Sequence, residues 1–131
     1  MVKKKKGGEG IVNTGEPITI EATADKNELR ASLEEIKNYE GVVGYILRNT
    51  TSASIDLREP AKIIEYAVLS AASFDTTDEL SNIFQLGKIK NTIISGKTIK
   101  MLSLTLAGNK ISIFMENTAD AEKVLKRIRA F

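Results

Sequence analysis

A chain of 131 residues with 42% apolar and 27% charged residues has the size and balance of one ordinary globular domain, able to bury about two-thirds of the surface its unfolded form exposes. It contains no cysteine and no histidine, which excludes disulfides, thiolate chemistry and the commonest general base and metal ligand. The net charge of +2 is too small to imply a nucleic-acid partner.

Residues 1–24 are expected to form a flexible basic and glycine-rich tail, and residues 25–131 the folded domain. Lys3 to Lys6 are followed by Gly7-Gly8-Glu9-Gly10 rather than an apolar run, so the start is not read as a secretory signal. No apolar stretch approaches the ~18 residues a bilayer span needs, and a cytoplasmic protein is expected. Within the tail, Ile18-Thr19-Ile20 could form a short extended segment.

Asp25 with Glu28 makes a capping pattern for a first helix over Lys26–Tyr39, with Leu29, Leu33 and Ile36 on one face. Gly41 ends it. The uncharged run Val42–Leu47 reads as a strand covered on both faces, Asn49-Thr50-Thr51 as a turn, and Ser52–Asp56 as the second arm of a hairpin.

Pro60 opens a second helix that is expected to run to Phe74. Ile64, Val68 and Ala71 form one apolar face; Ile63, Ala67, Ser70 and Phe74 form an adjoining one, with Tyr66 beside them. That arc is too wide for a helix burying a single stripe. Thr76-x-x-Glu79 reads as a second capping box, leading into a short turn with Leu80, Ile83 and Phe84 inward.

Three strands follow: Ile89–Ser95, Thr98–Leu106 and Lys110–Met115, joined at Gly96-Lys97 and Gly108-Asn109. In the second, Leu102, Leu104 and Leu106 alternate with polar or flexible residues. A last helix over Ala119–Arg129 is expected to be capped by Thr118, with acids in its first turn and Lys126, Arg127 and Arg129 at its end, as the helix dipole favours.

The tempting motifs fail on context. Ser95-Gly96-Lys97-Thr98 lacks the first glycine of a phosphate loop, since Asn91 stands there, and it lies between strands. Gly7 to Gly10 has no dinucleotide spacing. Lys3 to Lys6 come without aromatic residues to stack on bases, so nucleic-acid binding is not expected. Asn49-Thr50-Thr51 matches a glycosylation acceptor but reads as a turn. No nucleophile elbow, Ser-x-x-Lys or clustered carboxylate pair appears, so no catalytic residue, metal or cofactor is assigned.

The element order α-β-β-α-β-β-β-α, together with Gly41-Val-Val-Gly-Tyr-Ile-Leu-Arg48, Tyr66-Ala-Val-Leu-Ser-Ala-Ala72, Lys97-Thr-Ile-Lys-Met-Leu-Ser-Leu104 and Lys110-Ile-Ser-Ile-Phe-Met-Glu116, resembles the Roadblock / dynein light-chain family over Leu29 to Phe131. The chain departs from it in its first hairpin turn, which lacks glycine, and in its basic N-terminal extension. The resemblance implies a profilin-like α+β fold: a five-stranded antiparallel sheet with helices on both faces, the first and last helices on one and Ala61–Phe74 on the other. It implies homodimers or heterodimers through that second helix and the strand after it, here Ile63, Tyr66, Ala67, Ser70 and Phe74 with Ile89, Asn91 and Ile93. It further implies a non-catalytic scaffold or regulator that docks on a Ras-like small GTPase or on a signalling or motility assembly. Two other readings compete: a weak anionic-surface or nucleic-acid binder acting through Lys3 to Lys6, and a small-molecule sensor.

Overall fold

The computed structural model describes residues 28–129. The tail, the segment Ile18-Thr19-Ile20 and the cap at Asp25 lie outside the described residues. Two compact units are distinguished among the described residues, one made of residues 28–35 and 126–129, the other of residues 36–125.

The larger unit is built on an antiparallel sheet. Its strands are β1 (Val42–Arg48), β2 (Ala53–Leu57), β3 (Asn91–Ser95), β4 (Ile99–Leu106) and β5 (Asn109–Glu116). They lie in the order β2-β1-β5-β4-β3, which leaves β2 and β3 at the edges. The first hairpin closes without glycine because Asn49 bonds the turn itself. Its side-chain oxygen accepts bonds from the amides of Thr51 and Ser52 at 2.9 and 3.0 Å, and its own backbone amide donates to the Ser52 carbonyl. At the β4–β5 turn, Ala107 and Gly108 both take positive φ, the geometry a two-residue hairpin demands.

Between β2 and β3 runs α2 (Ile63–Phe84), preceded by one 3-10 turn at Pro60–Lys62. The helix was expected to stop at Phe74, and it continues to Phe84 without a break. Thr76 and Glu79 therefore sit inside a helix and cap nothing. Thr77 shows how the polar residues are accommodated: its hydroxyl donates to the Ser73 carbonyl one turn back at 2.8 Å. α2 stops at Gln85, which takes a left-handed conformation, while the Leu86 amide returns to the Ser81 carbonyl at 3.1 Å and the Ser81 hydroxyl donates to the Gly87 carbonyl.

α2 tracks antiparallel along β5. Tyr66 stacks on Phe114 with ring centroids 4.5 Å apart, Ser70 hydrogen-bonds Ser112 at 2.6 Å, and Phe74 lies beside Lys110. Four helical residues advance about 6 Å and two strand residues about 6.8 Å, so these contacts stay in step. Ile46, Leu57, Met101 and Phe114 form the cluster beneath the helix, with Ile63, Tyr66, Ala67 and Leu69 packed on it. The opposite sheet face is equally closed: Leu47, Leu102, Ile111, Ile113 and Met115 are each no more than 1% exposed.

Helix α3 (Ala121–Arg129) is capped by Asp120, whose carboxylate accepts from the Lys123 amide at 3.1 Å. Thr118, the expected cap, lies two residues too early, because Asn117 and Ala119 are still engaged in the turn that leaves β5. α1 is helical over 28–36, followed by a turn at 37–39 where helix was expected. Leu29 and Leu33 are buried, as their spacing requires. In the smaller unit Arg127 grips Glu35 with two bonds at 2.8 and 2.9 Å. Those bonds hold the Glu35 carboxyl below its ordinary value, against an opposing effect of desolvation and with a lesser pull from the Arg127 charge.

Candidate interaction surface

A row of hydroxyls crosses the sheet under α2. Ser112 of β5, Ser103 of β4 and Thr92 of β3 are register partners in turn. Above them the helix places Ser70, Ser73 and Thr77. Ser112 bonds both Ser70 and Ser103, the latter at 3.2 Å, and Thr77 reaches Thr92 at 3.2 Å. These small polar side chains let the helix approach closely, and they select which of its two apolar faces turns inward.

The selected face contains Ile63, Tyr66, Ala67, Ser70 and Phe74, the residues expected at an interface with a partner. Ser70 is 2% exposed and Phe74 7%, so neither can offer its side chain to another molecule. Tyr66 is held by Phe114, and burial raises its phenol above the ordinary value, with Glu59 and Glu65 adding to the rise and Lys62 opposing it. On the edge, Ile89 and Asn91 are half-buried and Ile93 is 40% exposed.

What faces outward on α2 is the other half of the arc. Ile64 is 79% exposed and Val68 63%, one turn apart, and Ala72 continues the line. A second apolar group, Leu80, Ile83 and Phe84 with Leu86 just after, is also exposed, although Leu80, Ile83 and Phe84 were expected inward. The reason is length. Past Phe74 only Asn109 remains of β5, while α2 runs on for about 15 Å at 1.5 Å per residue. Beside this region, Ile94 of β3 lies on the α2 side of the sheet and is 40% exposed. β3 has only β4 as a strand partner among the described residues, so its outer edge offers unpaired backbone groups.

Two clefts accompany these surfaces. One of about 500 Å³ lies between the second half of α2 and β3–β4, lined by Thr77, Asp78, Ser81, Lys88, Asn91 and Thr105 among others. Another of about 360 Å³ opens at Tyr39, Glu40, Glu116 and Asp120, where Lys123 stands 4.8 Å from the Tyr39 ring. Neither gathers a constellation for catalysis. Among the described residues, no group of three or more acidic side chains could hold a metal ion, and no helix is long and apolar enough to cross a membrane.

Ser73 is the single flaw in the hydroxyl seam. It is 5% exposed, and its Oγ has no hydrogen-bond partner among the described residues. A buried hydroxyl without a partner costs about 1–3 kcal/mol. Ser73→Ala should therefore raise unfolding free energy by about 1 kcal/mol in urea denaturation. A loss of similar size would show that the hydroxyl is satisfied in solution.

A five-stranded antiparallel sheet in the order β2-β1-β5-β4-β3, crossed on one face by a long helix between its second and third strands, is the Roadblock/LC7 fold. A Roadblock/LC7 domain from Streptomyces avermitilis superposes with a TM-score of 0.61 at 10% identity, over 77% of this chain and 85% of that one. MglB from Myxococcus xanthus gives 0.63 at 12% identity, over 79% and 87%. The gliding protein MglB from Thermus thermophilus gives 0.62 at 15% identity, over 79% and 82%. At such identities the likeness is one of fold. No protein-family model and no curated protein sequence matches the chain.

Proposed function

We propose that this protein is a non-catalytic scaffold or regulator that self-associates through the outward face of α2 and the β3 edge, and that the dimer docks on a Ras-like small GTPase or a related motility assembly. The observation that carries this reading is the exposure of Ile64, Val68 and Ile83 on the outward side of one 22-residue helix, beside a strand edge with no partner among the described residues. Single exposed apolar side chains are ordinary, but a line of them on one element marks a contact surface.

The helix suits an antiparallel partner copy. Glu65, Asp75, Asp78 and Glu79 are its charged residues, and it contains no lysine or arginine. Arg58 and Lys62 stand just before its start. A parallel pair would lay acid on acid. An antiparallel pair with its twofold near Ala72 sets Arg58 and Lys62 of one copy toward the acidic half of the other. It also sets the Ile64–Val68 half of one helix toward the C-terminal half of the other, and such an interface is isologous and closes on itself. The gliding protein among the structural neighbours supports a motility setting, and the Roadblock resemblance of the sequence supports a GTPase partner.

The test is binding to the Ras-like GTPases of the same genome, each loaded with GDP or a GTP analogue, by gel filtration with light scattering. The expected result is a complex with one GTPase whose formation depends on the nucleotide. If no GTPase binds in either state, the regulatory reading fails and self-association alone remains.

A further inference from the structure

Arg48 and Lys110 are direct register partners, one ending β1 and the other opening β5. Like charges placed opposite each other on adjacent strands repel and weaken the sheet. The residues flanking them in the same row are Ala53 on β2 and Thr105 on β4, and neither can neutralise the pair. Neither cation makes an ion pair among the described residues. Of the acids on α2, Asp75 is exposed, and Asp78 lines, together with Thr105, the cleft toward β3 and β4.

Both cations are instead held over one aromatic ring. The Arg48 guanidinium carbon and the Lys110 ammonium each lie 5.6 Å from the Phe74 centroid. Phe74 is buried and fixed by α2, so its ring engages both of these register-paired cations without cancelling either charge. The strand ends that carry them are clipped together by the Asn49 side-chain amide, which donates to the Asn109 side-chain oxygen at 3.3 Å. Thr105, beside Lys110, adds a hydroxyl donor to the same row.

We propose that Arg48 and Lys110, with Thr105, form a binding site for a phosphate dianion at the hairpin end of the sheet. Arg48 supplies a planar fork of donors and Lys110 a mobile point charge, and together they match the nearly two negative charges of a phosphate monoester. The repulsion that the pair suffers alone is relieved when the anion sits between them. This site is independent of self-association through α2.

The experiment compares the wild-type chain with Arg48→Gln and Lys110→Gln by thermal unfolding and by amide NMR titration. Inorganic phosphate is added against sodium chloride of equal ionic strength. At tenfold excess over its dissociation constant, phosphate should raise the wild-type Tm by about 3 °C or more above the chloride control. Both variants should lose that rise, and in chloride neither should melt below wild type. Amide shifts should concentrate at Asn49, Phe74, Thr105 and Asn109. A second arm uses a short phosphoserine peptide and its unphosphorylated form. Tenfold tighter binding than inorganic phosphate assigns the site to a modified partner chain, and equal affinity assigns it to a free phosphate compound. An equal Tm rise in all three proteins would reflect general exclusion of phosphate from protein surfaces and would overturn the proposal, as would no rise at all.

Discussion

On the proposed pairing through α2, Val68→Asp should yield a monomer at concentrations where the wild type is expected to be dimeric. Val68 is 63% exposed in the single chain, so an aspartate there costs the monomer little, within about half a kcal/mol. At a closed α2–α2 contact the same carboxylate would be buried without a partner, twice per dimer by symmetry. One uncompensated buried charge costs about 3–5 kcal/mol, so the dissociation constant should rise more than about a hundredfold. Sedimentation velocity over a concentration series reads this directly, and circular dichroism confirms that the fold persists. Tyr66→Asp is the instructive contrast. Tyr66 is stacked on Phe114 in its own chain, so that substitution should damage the monomer rather than the contact. The absence of cysteine offers a check on register. In Ala72→Cys the only thiols of a dimer would lie near the twofold, and mild oxidation should cross-link them if their Cα atoms approach within about 7 Å. A Val68→Asp protein that pairs as tightly as wild type would remove the outward face of α2 from the interface.

Gly44→Ala should be among the most destabilising single substitutions in the chain. Gly44 lies in β1 at a break in register with β5, opposite both Leu57 and Phe114. Its φ is +149°, and an added Cβ would stand 2.2 Å from the Asp56 carbonyl oxygen and 2.7 Å from the Leu57 Cα. Both are backbone atoms of a paired strand, so β2 itself would have to move away. We expect a loss of about 3 kcal/mol or more, a large share of the roughly 5–15 kcal/mol that holds a domain of this kind together. Gly108→Ala isolates the conformational part of that cost. Gly108 has φ +79° but nothing within 4 Å of a new Cβ, so only the left-handed backbone is penalised, by about 1–2 kcal/mol. Urea denaturation of both variants should show the difference. Equal losses would mean that close approach to β2 is not what requires a glycine at Gly44.

Several features were legible in the residues themselves because they rest on local rules. Gly41, Gly96 and Gly108 mark the breaks between elements, and the strands end within about two residues of their expected limits. The apolar spacing of Leu29, Leu33 and Ile36 foretold a buried face, and all three are buried. The resemblance to Roadblock proteins agrees with the fold observed. The over-wide apolar arc of α2 was equally plain, and it correctly signalled that the helix has more apolar surface than its own sheet covers.

Which half of that arc goes inward was not decided locally. Ile63, Ala67 and Phe74 are no more apolar than Ile64 and Val68, so composition leaves the two faces equivalent. The choice follows Ser112, Ser103 and Thr92, which lie on three successive strands and become one row only when β5, β4 and β3 pair. The extent of α2 was hidden for a related reason. Thr76-x-x-Glu79 is compatible with a helix start, yet nothing in it forbids a helix interior, and the uninterrupted helix through those residues settles the matter. The meeting of Arg48 and Lys110 likewise requires pairing between strands remote in the chain. By itself, then, the sequence determined where helices and strands form, because turns, caps and periodicity act between near neighbours. Only the tertiary structure decided which surface of α2 is left exposed, because strand pairing assembles the hydroxyl row that the other surface packs on.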